Sequence, residues 1–281
     1  MSNFLQNLND NFDTFTRSQK LVADYLSENL NAIAFCTLEE LAEKIGVSTT
    51  TIIRFSRHLG YNGYTQMQKD IQNSIQTKVS LPERLNSQKF YPGDTLLTES
   101  FQNDILNIQR TLEAQNPEDL KAIIDCVSDA PNVYVVGMRS SFSISYYMAS
   151  RLSEIRENIH LVQSVGMLYP EEIVSAKKGD VCIAYLFPRY SKLTATILSW
   201  FRNKGVKIIL FTSQNYSAVR GYGDIILPCS ISSLSYKNSF AAPLSLSNYL
   251  IAAISQQNFK ESQRVLEKTE SILSQGFYLG L

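Results

Sequence analysis

The chain is short of the residues from which most active sites are built. It has two histidines, one tryptophan and four cysteines, and its 26 lysines and arginines are matched by 26 aspartates and glutamates. That balance gives no global field, so any contact with a polyanion has to come from a local patch. Cys36, Cys126, Cys182 and Cys229 stand far apart with no C-x-x-C pair, which argues against a zinc site and against a disulfide framework. They read as reduced, mostly buried small side chains. No basic-then-apolar signal opens the chain, and no apolar run approaches the ~18 residues of a membrane span. We therefore expect a soluble, cytoplasmic protein with no membrane partner. The length of 281 residues allows two modest domains, each with its own core.

What is present begins with Thr37 to Tyr64, TLEELAEKIGVSTTTIIRFSRHLGYNGY. Thr37 and Glu40 have the spacing of a capping box, in which the threonine hydroxyl accepts from a first-turn amide and the glutamate reaches back to the cap. Leu38, Leu41, Ala42 and Ile45 come next at helical spacing, and Gly46 stands where the helix must leave through a left-handed residue. Ser48 is a natural cap for a second helix. Successive residues of that helix lie about 100° apart, which puts Ile52, Phe55, Ser56 and Leu59 on one face and Thr50, Arg54 and Arg57 on the other. This is a helix-turn-helix with its recognition helix. Arg54 and Arg57 are placed for bases or phosphates in a major groove, Thr50 lies on the same face, and Ser48 and Thr49 suit a phosphate at the helix N-terminus. A helical hairpin with a merely solvated polar face is the alternative. Charge placement favours DNA: Asp10, Asp13, Asp24, Glu28, Glu39, Glu40 and Glu43 all precede the turn, and no acidic residue occurs from Lys44 to Lys69.

The run ELAEKIGVSTTTIIRFSRHLGYNGYTQMQKDI, preceded by TRSQKLVADYLSENLNAIAF, resembles the N-terminal domain of the MurR/RpiR family of bacterial transcriptional regulators. The resemblance implies a second, C-terminal sugar isomerase (SIS) domain that senses a phosphorylated sugar.

Around that motif, residues 1 to 16 read as a loose or short helical lead-in. Thr16 or Ser18 can cap a helix carrying Gln19, Val22, Ala23 and Leu26, the first of a three-helix core. Tyr61 and Tyr64 flank an Asn62-Gly63 turn and suit core packing better than stacking on DNA. Lys69, on the next helix, is a further phosphate candidate. The stretch from Thr77 to Asp94, with two prolines, has no pattern. The expected division is a DNA-binding domain over 1–77, a linker over 78–97 and a second domain over 98–281. An amphipathic helix from Thr98 to Ala114, with Phe101, Ile105, Ile108 and Leu112 on one stripe, suits dimerisation and core packing equally. Helices are also expected from Pro117 to near Val127, from Asn238 to Gln257 and from Phe259 to Leu273.

The period then changes. Val133 to Gly137, Ile159 to Val162, Val181 to Phe187, Val206 to Thr212 and Asp224 to Pro228 are short β-branched runs separated mostly by helical pattern. Near-continuous apolar strands alternating with helices imply a parallel sheet covered on both faces, a three-layer α/β domain. Ligands in such sheets sit at the carboxyl ends of the strands. Gly137-Met138-Arg139-Ser140-Ser141 comes after the first strand and has the outline of a phosphate cradle. Thr212-Ser213-Gln214-Asn215 comes after another strand and is again rich in hydroxyls. By resemblance to SIS domains, Ser140, Ser141, Thr212 and Ser213 are the ligand positions; serines and threonines that simply cap helices are the alternative.

The middle loop departs from the Ser-Tyr-Ser-Gly type of many SIS domains: it reads Leu186-Phe187-Pro188-Arg189-Tyr190-Ser191-Lys192. Pro188 has no N–H to donate. Arg189 and Lys192 can supply positive charge instead, Ser191 caps the next helix, and Arg139 stands where a glycine could. Isomerisation needs a poised base and a ring-opening acid, yet only His58, His160 and the Glu171-Glu172 pair present themselves. We expect no catalytic residues, no cofactor and no metal, with an isomerase-type enzyme kept as an alternative. The expected partners are a palindromic DNA operator, a sugar-phosphate effector and further copies of the chain in a homodimer or homotetramer. A SIS-like domain that binds nothing and only dimerises is the competing reading.

Overall fold

The computed structural model describes residues 3–33, 36–76, 81–86, 91–163, 169–216 and 218–274. The chain divides into two compact units, Met1–Glu83 and Arg84–Leu281.

The first unit is helical: α1 (Asn3–Asn11), a 3-10 turn (Phe12–Thr14), α2 (Arg17–Ile33), α3 (Leu38–Ile45), α4 (Thr49–His58) and α5 (Tyr64–Gln76). Its core joins Phe4 and Leu8 of α1 to Val22 and Leu26 of α2, Leu41 of α3, Ile52 and Phe55 of α4, and Met67 and Ile71 of α5. The N-terminal lead-in is thus part of the core, which takes in five helices where three were expected. Two apolar residues four apart, set among asparagines and aspartates, are enough to seal one face of a helix.

A short helix α6 (Leu81–Asn86) contains the division between the units and lies inside the expected linker. Pro82 is tolerated there because the first helical turn has no intrahelical amide bond to lose. Residues 77–80 and 87–90 of that stretch lie outside the described residues. The helix expected from Thr98 begins earlier: α7 spans Gly93–Glu113 with Pro92 as its N-cap residue, whose carbonyl accepts from the Thr95 amide and hydroxyl, each at 3.0 Å. Pro92-Gly93, inside the expected linker, is therefore a helix start.

The rest of the second unit runs α8 (Pro117–Asp129), β1 (Val133–Gly137), α9 (Phe142–Ser153), β2 (Ile159–Val162), α10 (Tyr169–Ile173), β3 (Val181–Tyr185), α11 (Lys192–Asn203), β4 (Lys207–Ser213), β5 (Ile225–Cys229), α12 (Ala241–Gln257) and α13 (Phe259–Leu273). The five strands are parallel in the order β2-β1-β3-β4-β5. Alternate residues feed two cores. Val133, Val135, Ile183, Tyr185, Ile209 and Phe211 pack under α8, α9 and α12. Tyr134, Val136, Cys182, Ala184, Ile208 and Leu210 pack against Ile173 of α10 and Ile197, Leu198 and Phe201 of α11. The result is the expected three-layer sandwich. The four cysteines are thiols, none in a disulfide, and among the described residues no helix is long and apolar enough to cross a membrane.

Candidate DNA-binding helix and effector loops

The recognition helix starts and stops where its sequence requires. Thr37 Oγ1 accepts from the Glu40 amide at 3.2 Å while Glu40 Oε2 accepts from the Thr37 amide at 2.8 Å, a closed capping box. Gly46, at φ 75°, ends α3 in the left-handed region. Ser48 Oγ then accepts from the Thr51 amide at 3.2 Å and opens α4. Ile52, Phe55, Ser56 and Leu59 are buried, and Ser48, Thr50, Arg54 and Arg57 are exposed, with Thr49 half-buried. Lys69 is exposed on α5. At the end of α3, Lys44 Nζ donates to Cys36 Sγ at 3.2 Å, and that bond raises the ammonium above its ordinary value.

The two tyrosines after the recognition helix are packing residues. Tyr64 is buried and its hydroxyl donates to the Cys36 carbonyl at 2.7 Å. Burial first, then nearby Cys36, Glu40 and Glu39, push its phenol up to about 12. Tyr61 is raised by burial and by its 2.7 Å hydrogen bond to Asp70. His58 is also spoken for, with Nε2 2.9 Å from Thr14 Oγ1 and its ring edge-on to Phe15.

In the second unit the strand order reverses at β1, which lies between β2 and β3. Ligands of open parallel sheets bind outside the carboxyl ends of the strands at such a reversal. Gly137 pairs with Tyr185, and Tyr185 with Phe211, so the loops after β1, β3 and β4 leave the sheet side by side.

The first loop turns immediately. A Cβ on Gly137 would lie 2.7 Å from the Ser141 carbonyl oxygen and 3.0 Å from Ser145 Oγ, so only glycine lets the turn fold back on the strand. Arg139 has φ 58°, a left-handed conformation that costs a non-glycine residue roughly 1–2 kcal/mol. It is exposed, as is Ser140, whereas Ser141 is buried. The third loop is committed internally. Thr212 is fully buried and its hydroxyl donates to the Leu186 carbonyl at 2.7 Å; Ser213 Oγ donates to the Asn215 carbonyl at 3.0 Å.

The middle loop is pinned from two sides. Asn238 Nδ2 donates to the Pro188 carbonyl at 2.6 Å, and the Phe187 and Phe240 rings pack at a centroid distance of 5.4 Å. Ser191 Oγ accepts from the Thr194 amide at 3.3 Å and caps α11. Arg189 and Lys192 are exposed. Tyr190 has its phenol raised by burial, against hydrogen bonds with Ser213 and Thr212 that lower it. Arg139, Ser140, Arg189 and Lys192 thus face solvent at the strand tips, and Ser141, Ser191, Thr212 and Ser213 are built into the loops beneath them. Asn238 and Tyr190 were not singled out in the sequence. For Asn238 no local signal exists, since its partner lies 50 residues away; for Tyr190 the position between Arg189 and Ser191 was the available hint.

The two histidines and Glu172 serve packing and loop anchoring, and Glu171 is exposed. His160 Nε2 is 3.1 Å from Asn132 Oδ1 and its ring stacks on Tyr134, while Glu172 Oε2 accepts from the Gln163 amide at 3.0 Å and holds the end of β2. Among the described residues no three or more His, Cys, Asp or Glu side chains gather as a metal site.

Residues 2–78 match the rpiR-family helix-turn-helix domain and residues 127–255 match the SIS domain. An HTH-type transcriptional regulator of Haemophilus influenzae is 22% identical over 228 residues, spanning 80% of this chain and 79% of that protein. One from Caldanaerobacter subterraneus is 24% identical over 280 residues, spanning 98% of each. The structure of Vibrio vulnificus NanR, complexed with ManNAc-6P, superposes with a TM-score of 0.61 at 19% identity, covering 99% of this chain and 100% of that one. The chain belongs to the RpiR family of DNA-binding transcriptional regulators, with a helix-turn-helix domain followed by a SIS domain.

Proposed function

We propose that this regulator controls a sugar or carbohydrate-derivative operon and responds to an anionic effector, a phosphorylated sugar, held by the loops after β1, β3 and β4. The observation that carries this reading is the exposure of three cations, Arg139 and Arg189 on loops and Lys192 at the start of α11, past strands beside the sheet's strand-order reversal. Guanidinium and ammonium groups there suit a phosphate, with Ser140 and the turn after Gly137 as hydrogen-bonding neighbours. The ManNAc-6P complex of NanR supports the same class of ligand. DNA contact is assigned to residues 1–77, through Ser48, Thr49, Thr50, Arg54, Arg57 and Lys69, and effector binding and pairing to 98–281. One helix-turn-helix reads few bases, so two copies read a palindromic operator, with half-sites about one helical turn or a multiple apart. The effector acts by its different affinity for the DNA-competent and incompetent arrangements of the pair.

A second reading has a specific observation behind it. Thr212, Ser213 and Ser191 spend their hydroxyls inside the protein, which favours a SIS domain that binds no ligand and only dimerises. Thermal denaturation against a panel of phosphorylated and unphosphorylated sugars separates the two. A ligand at ~100 times its dissociation constant stabilises the unit that binds it by about 2.7 kcal/mol. A shift with one phosphorylated sugar, lost in Arg189→Ala while operator affinity is kept, is the expected result. No shift with any sugar phosphate would leave the second reading standing.

A further inference from the structure

Helix α7 is docked the wrong way round for a helix of a single folded unit. Its polar side faces its own domain: Asn107 and Thr111 are buried, Asn107 Nδ2 donates to the Ser232 carbonyl at 2.7 Å, Ser230 Oγ donates to Asn107 Oδ1 at 2.8 Å, and the Ser230 amide donates to Thr111 Oγ1 at 2.8 Å. Asp104 Oδ1 accepts from Ser239 Oγ at 2.6 Å. The apolar side is left outside. Leu97, Phe101, Ile105, Ile108 and Leu112 are exposed, from 38% for Ile108 to 74% for Leu112. Rolling the helix to bury them would break every one of those inward bonds, so the outward stripe is a fixed property of the unit.

From this we infer that α7 is the pairing helix of the regulator, its stripe packed on the same stripe of a second copy of the chain across a two-fold axis. The inference rests on the paired reading given above and names its surface. Spacings of four, four, three and four residues keep the five side chains on one line about 22 Å long, the pattern of helix-on-helix packing. At about 100° per residue, Glu99 and Arg110 fall on the side away from Phe101, and Asp104, about 60° from Phe101, is half-buried and turned inward onto Ser239, so the stripe itself carries no charged residue. Five large side chains, each offering on the order of 100 Å² of apolar surface, present roughly 500 Å² together. Two copies together bury about 1,000 Å², the smallest area that marks a specific interface, and self-complementarity is what a two-fold pairing demands.

The test uses the full chain in analytical ultracentrifugation. The wild type sediments as a dimer, and Phe101→Ser with Ile108→Ser raises the dimer dissociation constant by about a hundredfold or more. The far-ultraviolet spectrum is unchanged, since both side chains are already exposed. Leu106→Ser, exposed on the same helix but off the stripe, leaves the dimer intact, and Ile105→Cys, near the stripe's midpoint, forms a covalent dimer on oxidation. A dimer that survives the double substitution overturns the inference and leaves the paired reading in place. A wild type that is monomeric overturns both. A double variant with unchanged mass but a lowered melting temperature shows that another part of the same chain covers the stripe, which also overturns it.

Discussion

Arg54 is the residue on which recognition of DNA is best examined alone. It is exposed on α4, and the face behind it is closed by Ile52, Phe55 and Ser56, so its removal leaves packing untouched. Arg54→Ala is expected to weaken operator binding by about 1–3 kcal/mol, roughly 5- to 150-fold, with no change in melting temperature; fluorescence anisotropy on operator DNA at fixed salt measures it. That Arg54 faces outward was legible in the sequence because a helix repeats every few residues and its faces can be counted. Thr212 was not legible in the same way. Its hydroxyl type pointed to a ligand, but its partner is the Leu186 carbonyl, 26 residues earlier, and only the pairing of β3 with β4 brings them together. Gly137 lies between these cases: a glycine after a strand announces a special turn, while the reason, a Ser141 carbonyl oxygen 2.7 Å from where a Cβ would stand, exists only in the folded chain.

At the scale of elements, local capping chemistry decides where the helices of the first unit begin. Thr16 and Gln19 close a second box before α2, with the Thr16 amide donating to Gln19 Oε1 at 3.0 Å and the Gln19 amide to Thr16 Oγ1 at 3.4 Å. Thr37→Ala, which opens the box before α3, is expected to cost about 1 kcal/mol of the first unit's stability, read as a lower denaturation midpoint with the slope unchanged. Caps and glycine turns are written in adjacent residues, so α3 and α4 could be read closely. Strand cores could be read too, since β-branched runs mark them, but β3 stops at Tyr185, two residues before the expected Phe187, and β4 runs one residue beyond Thr212. Strand ends are set by the neighbouring strand's register, which no single segment contains. The start of α7, at Gly93 and not at Thr98, escapes the sequence for a different reason: Pro-Gly serves turns and helix starts equally, and nothing within the pair itself tells them apart.

Considered whole, the second unit is held together by contacts far apart in sequence. Asn103 and Asn107 share the Ser232 carbonyl, Gln115 reaches the Pro228 carbonyl, Gln214 reaches the Arg110 carbonyl, and Asn238 carries the connection on to Pro188. The inward side of α7 thereby sets where an autonomously folding piece can begin. The SIS match starts at residue 127, yet Ser230 finds its partners at residues 107 and 111. A fragment beginning at Tyr91 is expected to keep the full stability of the unit. One beginning at Asn116 gives up about 0.5–1.5 kcal/mol for each bond to α7. Amide hydrogen exchange reports the difference at a single proton. The Ser230 amide stays protected in the longer fragment and exchanges freely in the shorter one, and with it loosens the segment that holds the Pro188 loop in place.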